Sequence, residues 1–175
     1  MEEVVLNKNS EQEEQKNKFV TFQSGKEFFG LKIQVVNEII VFQEITAIPE
    51  TADYIKGLIN LRGKIIPVID VRLRFGQEPF EYTDRTCIIV IQVKEHVVGL
   101  IVEKIAEVVE ITEDNILPSP SVGRIESSQG HFVYAIGKVG KDVKLLLDPE
   151  KLLSDEDKAA LGKATEMTEE EGEEE

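Results

Sequence analysis

The feature of this sequence that most constrains its fold is an internal repeat of β-rich segments. Shifting the chain by 69 residues places Phe19–Gln23 on Ile88–Gln92 without a gap. The same register relates further pairs of segments, and a few inserted residues extend it to the end of each half: Phe28–Leu31 with Val97–Leu100, Glu38–Ile40 with Glu107–Val109, Ile48–Pro49 with Leu117–Pro118, and Asp70 with Asp148. Such a repeat predicts two copies of one supersecondary unit.

The repeated segments read as strands. They are short, rich in β-branched residues and separated by Gly, Pro, Asp and Lys-Glu, which favours strands over helices. The predicted strands are Phe19–Gln23, Phe28–Ile33, Ile39–Ile48, Ile65–Asp70, Cys87–Val93, Val97–Glu103, Val108–Ile111, Phe132–Lys138 and Val143–Leu147. Ser24–Lys26 and Lys94–Glu95 are placed where tight hairpin turns would lie.

Each half therefore has the size of a small five-stranded barrel. A barrel of about 65 residues buries only about 60% of its unfolded surface and is marginal alone, so two of them gain stability by packing together. We predict an all-β fold of two five-stranded barrels that share one core. A groove should run along their junction, and grooves between domains are frequent binding sites.

Charge divides the chain into a body and two tails. Of the net charge of −14, residues 1–17 carry −3 and residues 154–175 carry −8. We expect a flexible acidic tail at 1–17, a folded body at 18–153, and a short helix with an acidic, disordered tail at 154–175. The negative charge argues against nucleic acid and anionic membrane as partners. The chain opens without a secretory signal and has no apolar run of transmembrane length, so we expect it in the cytoplasm.

The side chains that enzymes use are scarce. The chain has two histidines and one cysteine, without the spacings of a metal site, so no metal or cofactor is expected. Gly57–Lys64 superficially resembles a phosphate-binding loop. It has five residues between its glycines, Ile65 in place of a magnesium-binding hydroxyl, and a strand in place of the following helix. We therefore expect no catalytic activity.

Ile55–Arg72 is the most distinctive segment of the sequence. Its two glycines, Gly57 and Gly63, predict a bulge or tight bend around a loop at residues 60–63, and the apolar run that follows predicts a central strand. Arg62 lies in this loop. Its guanidinium has two compatible roles: a salt bridge that fixes the loop, for instance with Glu38, or a planar donor to a partner's carboxylate or backbone.

This segment resembles the signature of the CheW family, and the resemblance extends from Phe19 to Leu153. It implies two SH3-like five-stranded barrels, with short helices at the connections and a C-terminal helix. It also implies a non-catalytic adaptor that couples the cytoplasmic tip of methyl-accepting chemoreceptors to the regulatory domain of the histidine kinase CheA. Such a protein would be cytoplasmic, recruited to membrane receptor arrays, and monomeric when isolated.

The resemblance also implies two sets of binding residues. The receptor-binding groove would be formed by Ile33, Val36, Glu38, Ile39, Arg62, Val98, Val102 and Ile105. The kinase contacts would be Phe42, Gly57 and Leu58 at one barrel end, and Ser121 and Val122 in a second, ring-closing contact. Family members often have a bulky aromatic residue where this chain has Val122.

Two alternatives remain open from the sequence. The protein could be a CheW-like coupling protein of a non-flagellar motility system, which would use the same grooves. From another class, it could be a small-molecule binder or enzyme that uses the inter-barrel groove as a pocket. The second alternative predicts a polar cluster in the groove, whereas the adaptor predicts an open apolar surface.

Overall fold

A computed structural model describes residues 15–118, 132–159 and 162. Eleven strands form most of this part of the chain: β1 Lys18–Ser24, β2 Glu27–Lys32, β3 Val36–Val41, β4 Ile55–Leu61, β5 Lys64–Asp70, β6 Cys87–Val93, β7 His96–Val102, β8 Lys104–Glu110, β9 Ile116–Pro118, β10 Val133–Val139 and β11 Asp142–Leu147. The helical elements are short: 3-10 turns at Ile33–Val35, Glu113–Asn115 and Pro149–Lys151, and helix α1 at Val71–Arg74. Another helix begins at Asp155 and is described through 159 and at 162.

The strands form two sheets. Sheet A has six strands in the order β8-β1-β2-β11-β10-β9, and sheet B has five in the order β3-β6-β7-β5-β4. Neighbouring strands are antiparallel except for the β2/β11 and β5/β7 pairs, which are parallel. Each sheet thus combines the first two strands of one repeat with the later strands of the other. The all-β class is confirmed, but the expectation that each half forms its own barrel is wrong, because the two halves exchange strands.

The repeat is visible in the strand pairing itself. The β1/β8 ladder pairs Thr21 with Glu107, and the β6/β3 ladder pairs the equivalent Val90 with Glu38. Both ladders also carry a register shift at one place. The parallel pairs β2/β11 and β7/β5 are equivalent in the same way. The two sheets are therefore related by the 69-residue repeat.

Three apolar clusters stabilise this arrangement. One contains only strand residues of sheet B, among them Ile59, Val68 and Ile88. A smaller one, with Phe19 and Leu146, belongs to the sheet A side. Because each sheet encloses apolar side chains of its own, each curls into a barrel-like subdomain. The third and largest cluster, the shared core, takes side chains from both sheets and from α1.

Aromatic side chains fill the centre of the shared core. The Phe29 ring lies against Phe22 and Phe75, with centroids 5.8 and 4.7 Å away, and Phe75 also contacts Phe132 at 5.6 Å. All four side chains are buried. Burial of such side chains is the dominant favourable contribution to folding. The two subdomains therefore share one hydrophobic core.

The boundaries of several strands differ from the prediction. The run Ile39–Ile48 leaves the sheet at Val41, and Thr46 makes only an isolated bridge to Leu58. Strands β4 and β9 were not predicted. In β4 the β-rich pattern is interrupted by Lys56 and Gly57. There the strand carries a bulge, and a Cβ on that glycine would lie 2.0 Å from the Thr46 carbonyl oxygen.

The turn between β4 and β5 is shorter than predicted. Asn60 and Leu61 belong to β4, so the connection consists only of Arg62 and Gly63. Both residues have positive φ, 52° and 88°. Positive φ at both central positions is what a type I′ hairpin turn requires. The Asn60 side-chain oxygen accepts a hydrogen bond from the Gly63 amide at 2.8 Å and holds the turn.

The C-terminal helix is attached to the body through Arg74 and Tyr54. The Arg74 guanidinium lies 4.5 Å from the Tyr54 ring and 4.6 Å from the Phe132 ring, and its Nε donates to the Leu152 carbonyl. The Tyr54 hydroxyl donates to the carboxylate of Asp157. Among the residues that the structure describes, no helix is long and apolar enough to cross a membrane.

Candidate partner-binding surfaces

Two edge strands carry exposed apolar side chains. Strand β3 is the edge of sheet B, and its Ile39 and Val41 are 40% and 73% exposed. Strand β8 is the edge of sheet A, and its Val108 is 55% exposed. Ile39 and Val108 are equivalent in the repeat. We refer to Ile39, Val41 and Val108 as the apolar edges.

The apolar edges border the shared core. Ile39 lies opposite Ile89 in the β3/β6 ladder, and the Ile89 side chain belongs to the shared core. Further along the same two strands, Val36 and Ile105 are half-buried and pack against that core. They too are equivalent in the repeat. Exposed aliphatic side chains therefore lie on the edge strand of each sheet, and both edge strands also carry a residue that packs against the shared core.

A cavity of about 360 Å³ lies at one end of the sheet B subdomain. Its lining mixes polar and apolar side chains: Asn37, Glu38, Leu61, Arg62, Lys64, Ile66, Val90, Gln92 and Val97. At its rim, Nη2 of the exposed Arg62 is 2.5 Å from Oε1 of the half-buried Glu38. The salt bridge predicted from the sequence is present. It connects the β4/β5 turn to the edge strand β3.

The equivalent end of sheet A is filled differently. The parallel registers of β11 against Gly30 and of β5 against Gly99 place Lys144 at the position of Ile66. Lys144 is buried, and its Nζ lies 4.3 Å from the centroid of the Phe28 ring. A lysine and a phenylalanine thus replace two aliphatic side chains of the cavity. The two ends are related by the repeat but differ chemically, so they are suited to different contacts.

The structure separates the predicted receptor-binding residues into two groups. The exposed or half-buried members are Ile33, Val36, Glu38, Ile39, Arg62 and Ile105. Val98 and Val102 are only 2% and 1% exposed and belong to the shared core. Their predicted place on the groove surface is therefore wrong, because the β7 residues on that face pack between the two sheets.

The predicted kinase-binding residues Phe42, Gly57 and Leu58 belong to the sheet B subdomain. The ring of the half-buried Phe42 packs 4.6 Å from that of Tyr82. Gly57 is buried in the bulge, and Leu58 is half-buried beside Thr46. Ser121 and Val122 lie outside the described residues.

Sequence reasoning missed Val41 and Val108. Both lie within apolar runs of the sequence, although the repeat contains a signal for one of them. Applying the 69-residue shift to the predicted groove residue Ile39 gives Val108 directly. No comparable signal exists for Val41, whose equivalent is Glu110.

The ionisable side chains do not suggest a metal site. Across residues 15–118 and 132–159, no group of three or more His, Cys, Asp or Glu side chains is placed to hold a metal ion. The only described cysteine, Cys87, is half-buried, and burial raises the pKa of its thiol. A thiol with a raised pKa is a poor nucleophile at neutral pH.

Comparison with known proteins places this architecture in a family. The family model described as a CheW-like domain matches residues 18–157. The chemotaxis protein CheW of Klebsiella aerogenes is 36% identical over 141 residues, which cover 81% of this chain and 84% of that protein. The CheW of Helicobacter pylori is 29% identical over 143 residues, covering 82% and 85%.

A solved structure supports the same assignment. The scaffolding protein TtCheW from Thermoanaerobacter tengcongensis superimposes with a TM-score of 0.69 at 39% identity, covering 75% of this chain and 88% of that one. The two-sheet fold, the family match and these relatives agree. The chain belongs to the CheW-like family of chemotaxis scaffold proteins.

Proposed function

We propose that this protein is a non-catalytic adaptor that couples transmembrane chemoreceptors to the histidine kinase CheA. The observation that carries the proposal is the pair of apolar edges beside the shared core, in a chain of the CheW-like family. An exposed aliphatic surface drawn from both sheets suits an amphipathic helix, whose apolar face would bury these side chains. In this role the adaptor works in the cytoplasm, at receptor arrays.

The receptor tip would lie along the apolar edges. Its helix would bury Ile39 and Val108 at the centre of the contact, with Val36 and Ile105 below them. Glu38 and Arg62 would sit at one end of the groove, where polar groups can fix the register of the helix. Central apolar contacts with a polar rim are the usual arrangement of specific interfaces.

The kinase would contact the ends of the subdomains. On sheet B the contact would be formed by Gly57 and Leu58 of β4 and by Phe42, which packs against the apolar cluster of that sheet. Because the sheet A end is filled by Lys144 and Phe28, the two ends would not be interchangeable. This asymmetry would fix the direction in which kinase and adaptor alternate. Ser121 and Val122 remain the proposed ring-closing contact.

Calorimetric titration tests the proposal directly. The full chain is titrated with a receptor tip fragment and, separately, with the regulatory domain of CheA. The variant Val108→Lys places a charge in the proposed receptor contact, and its expected effect is a loss of receptor affinity of about tenfold or more with kinase binding retained. Val143→Lys is the matched control, since Val143 is a similarly exposed valine on β11 of the same sheet.

The outcomes separate the possibilities. Binding of both partners, with receptor affinity lost only in Val108→Lys, supports the adaptor. Equal losses in Val108→Lys and Val143→Lys would contradict the proposed receptor surface. If a folded sample binds neither partner, the adaptor role is wrong. The cavity beside Arg62 would then be the place to search for a small ligand.

A further inference from the structure

Within residues 15–118, a single residue, Glu103, connects a strand of sheet B to a strand of sheet A. Strand β7 of sheet B ends at Val102, and β8 of sheet A begins at Lys104. The equivalent crossing, from β2 of sheet A to β3 of sheet B, takes three residues in a 3-10 turn, Ile33–Val35. The chain therefore passes between the two subdomains at one place through a single bent residue.

The side chain of Glu103 joins parts of both subdomains. Its Oε1 accepts a hydrogen bond from the Gly25 amide at 3.0 Å, in the turn between β1 and β2 of sheet A. The same oxygen accepts a hydrogen bond from Nη1 of Arg72, in the helix α1 that follows β5 of sheet B. One carboxylate oxygen thus links the β1/β2 turn of sheet A to helix α1, which follows β5 of sheet B.

Arg72 is itself held in place by three further features. Its Nε donates to the Glu78 carbonyl at 2.7 Å, and its guanidinium lies 5.5 Å from the Phe80 ring. Helix α1 is fixed because Asp70 caps it, accepting from the Leu73 amide. The arginine is therefore positioned by its own subdomain before it meets Glu103.

The Arg72–Glu103 pair is also shielded from water. The two side chains are 18% and 21% exposed, whereas Lys16 and Glu113 of a surface pair in the same protein are 64% and 76% exposed. Partly buried ion pairs are less screened by salt, and breaking one leaves a costly uncompensated charge. The pair is thus suited to hold two bodies in a fixed relation.

We propose that Glu103 is the pivot between the two subdomains, and that its contacts with Arg72 and Gly25 form a latch that holds them at one angle. The crossing leads directly into β8, which carries Val108, while Ile39 lies on β3 of the other sheet. The angle at Glu103 therefore sets the separation of the apolar edges. Releasing the latch would let this separation vary.

Distances between the subdomains test the latch without any binding partner. In a Cys87→Ala background, spin labels are attached at Lys138→Cys on sheet A and Lys64→Cys on sheet B, both exposed positions. Pulsed dipolar spectroscopy then gives the distribution of inter-label distances. Because neither receptor nor kinase is present, the result is independent of the proposed adaptor role.

Three variants remove different parts of the latch. Glu103→Ala removes the acceptor and the charge, Glu103→Gln keeps an acceptor without the charge, and Arg72→Lys keeps the charge without the donor to Glu78. We expect the distance distribution to broaden at least twofold in Glu103→Ala and by less in the other two. Glu113→Gln, which breaks the surface pair with Lys16, is the matched control and should leave the distribution unchanged.

Circular dichroism establishes that each variant is folded before its distances are interpreted. If Glu103→Ala does not fold, the two conservative variants carry the test. A distribution as narrow as that of the parent in every folded Glu103 and Arg72 variant would overturn the proposal. So would equal broadening in Glu113→Gln, since the effect would then not belong to the crossing.

Discussion

Replacing Arg62 by asparagine should separate function from stability. Arg62 has φ of 52°, a left-handed conformation that costs a residue other than glycine or asparagine about 1–2 kcal/mol. Asn-Gly is the preferred pair for a type I′ turn, so Arg62→Asn relieves part of this cost. The same change removes the ion pair with Glu38, which at this exposure stabilises the fold by about 0.2–1 kcal/mol.

The two effects nearly cancel. We expect the free energy of unfolding of Arg62→Asn to stay within about 1 kcal/mol of the parent, which corresponds to a shift in Tm of at most about 4 °C. The loss of a hydrogen-bond donor at the rim of a partner contact affects the binding affinity even when stability is unchanged. If Arg62 is used there, binding of the partner should weaken by about tenfold, or 1.4 kcal/mol. The assays are thermal unfolding and calorimetric titration with each partner.

Lys94→Asn provides the matched control. Lys94 is also a non-glycine residue with positive φ, 55°, in a hairpin turn, and it also makes an exposed ion pair, with Glu150 at 3.9 Å. The control should keep its stability and bind both partners normally. A loss of more than about 2 kcal/mol of stability in Arg62→Asn would refute the reasoning about the turn. Unchanged binding of both partners would refute the functional role of the guanidinium.

Three further predictions concern the body of the fold. Gly57→Ala should destabilise the protein by more than about 2 kcal/mol in chemical unfolding, because its Cβ would collide with the Thr46 carbonyl. Gly63→Ala, whose Cβ would have no atom within 4 Å, should cost only about 1 kcal/mol. Equal costs in the two variants would contradict the predicted collision at Gly57. Phe75→Ala should cost about 3–5 kcal/mol in the same assay, since its buried ring contacts two other phenylalanine rings; a cost below about 1 kcal/mol would show that the shared core can close around the gap. Burial, with the bond to a carboxylate, raises the pKa of Tyr54 to about 12, so the stability that Tyr54 contributes should be constant below about pH 10 and be lost as the pH rises from about 10 to 12. Tyr54→Phe should reduce the fall in stability over this range, and an identical pH profile in the variant would exclude Tyr54 as its source.

The sequence was sufficient to find the two related sheets but not which strands share a sheet. The repeat identifies β1 with β6 and β8 with β3, and that equivalence holds whether β1 pairs within its own half or with the other half. The identity of paired residues such as Thr21 and Glu107 does not show whether a residue's partner in the ladder belongs to the same half of the chain or to the other half. The exchange is decided by how the short crossings at Ile33–Val35 and Glu103 direct the chain, which is a property of the folded backbone.

The candidate site was partly predictable for a similar reason. The ion pair of Glu38 and Arg62 was predicted correctly because both residues match positions in the family that the sequence resembles. Val98 and Val102 were misplaced because β7 is apolar on both faces, so its sequence does not show which side meets the other sheet. Val41 was missed because an exposed valine on an edge strand looks, in sequence, like a core residue.

The exchange of strands has a consequence for how the protein is made. The hydroxyl of Thr21 bonds to the Glu107 carbonyl across 86 residues, and β2 pairs with β11 near the end of the chain. Neither sheet can be completed by the first half of the chain as it leaves the ribosome. Its open edges must stay unpaired through most of translation, when edge strands are most prone to aggregate. Folding of this protein is therefore committed only once β11 has been synthesised, and synthesis that stops midway leaves a fragment without a closed sheet.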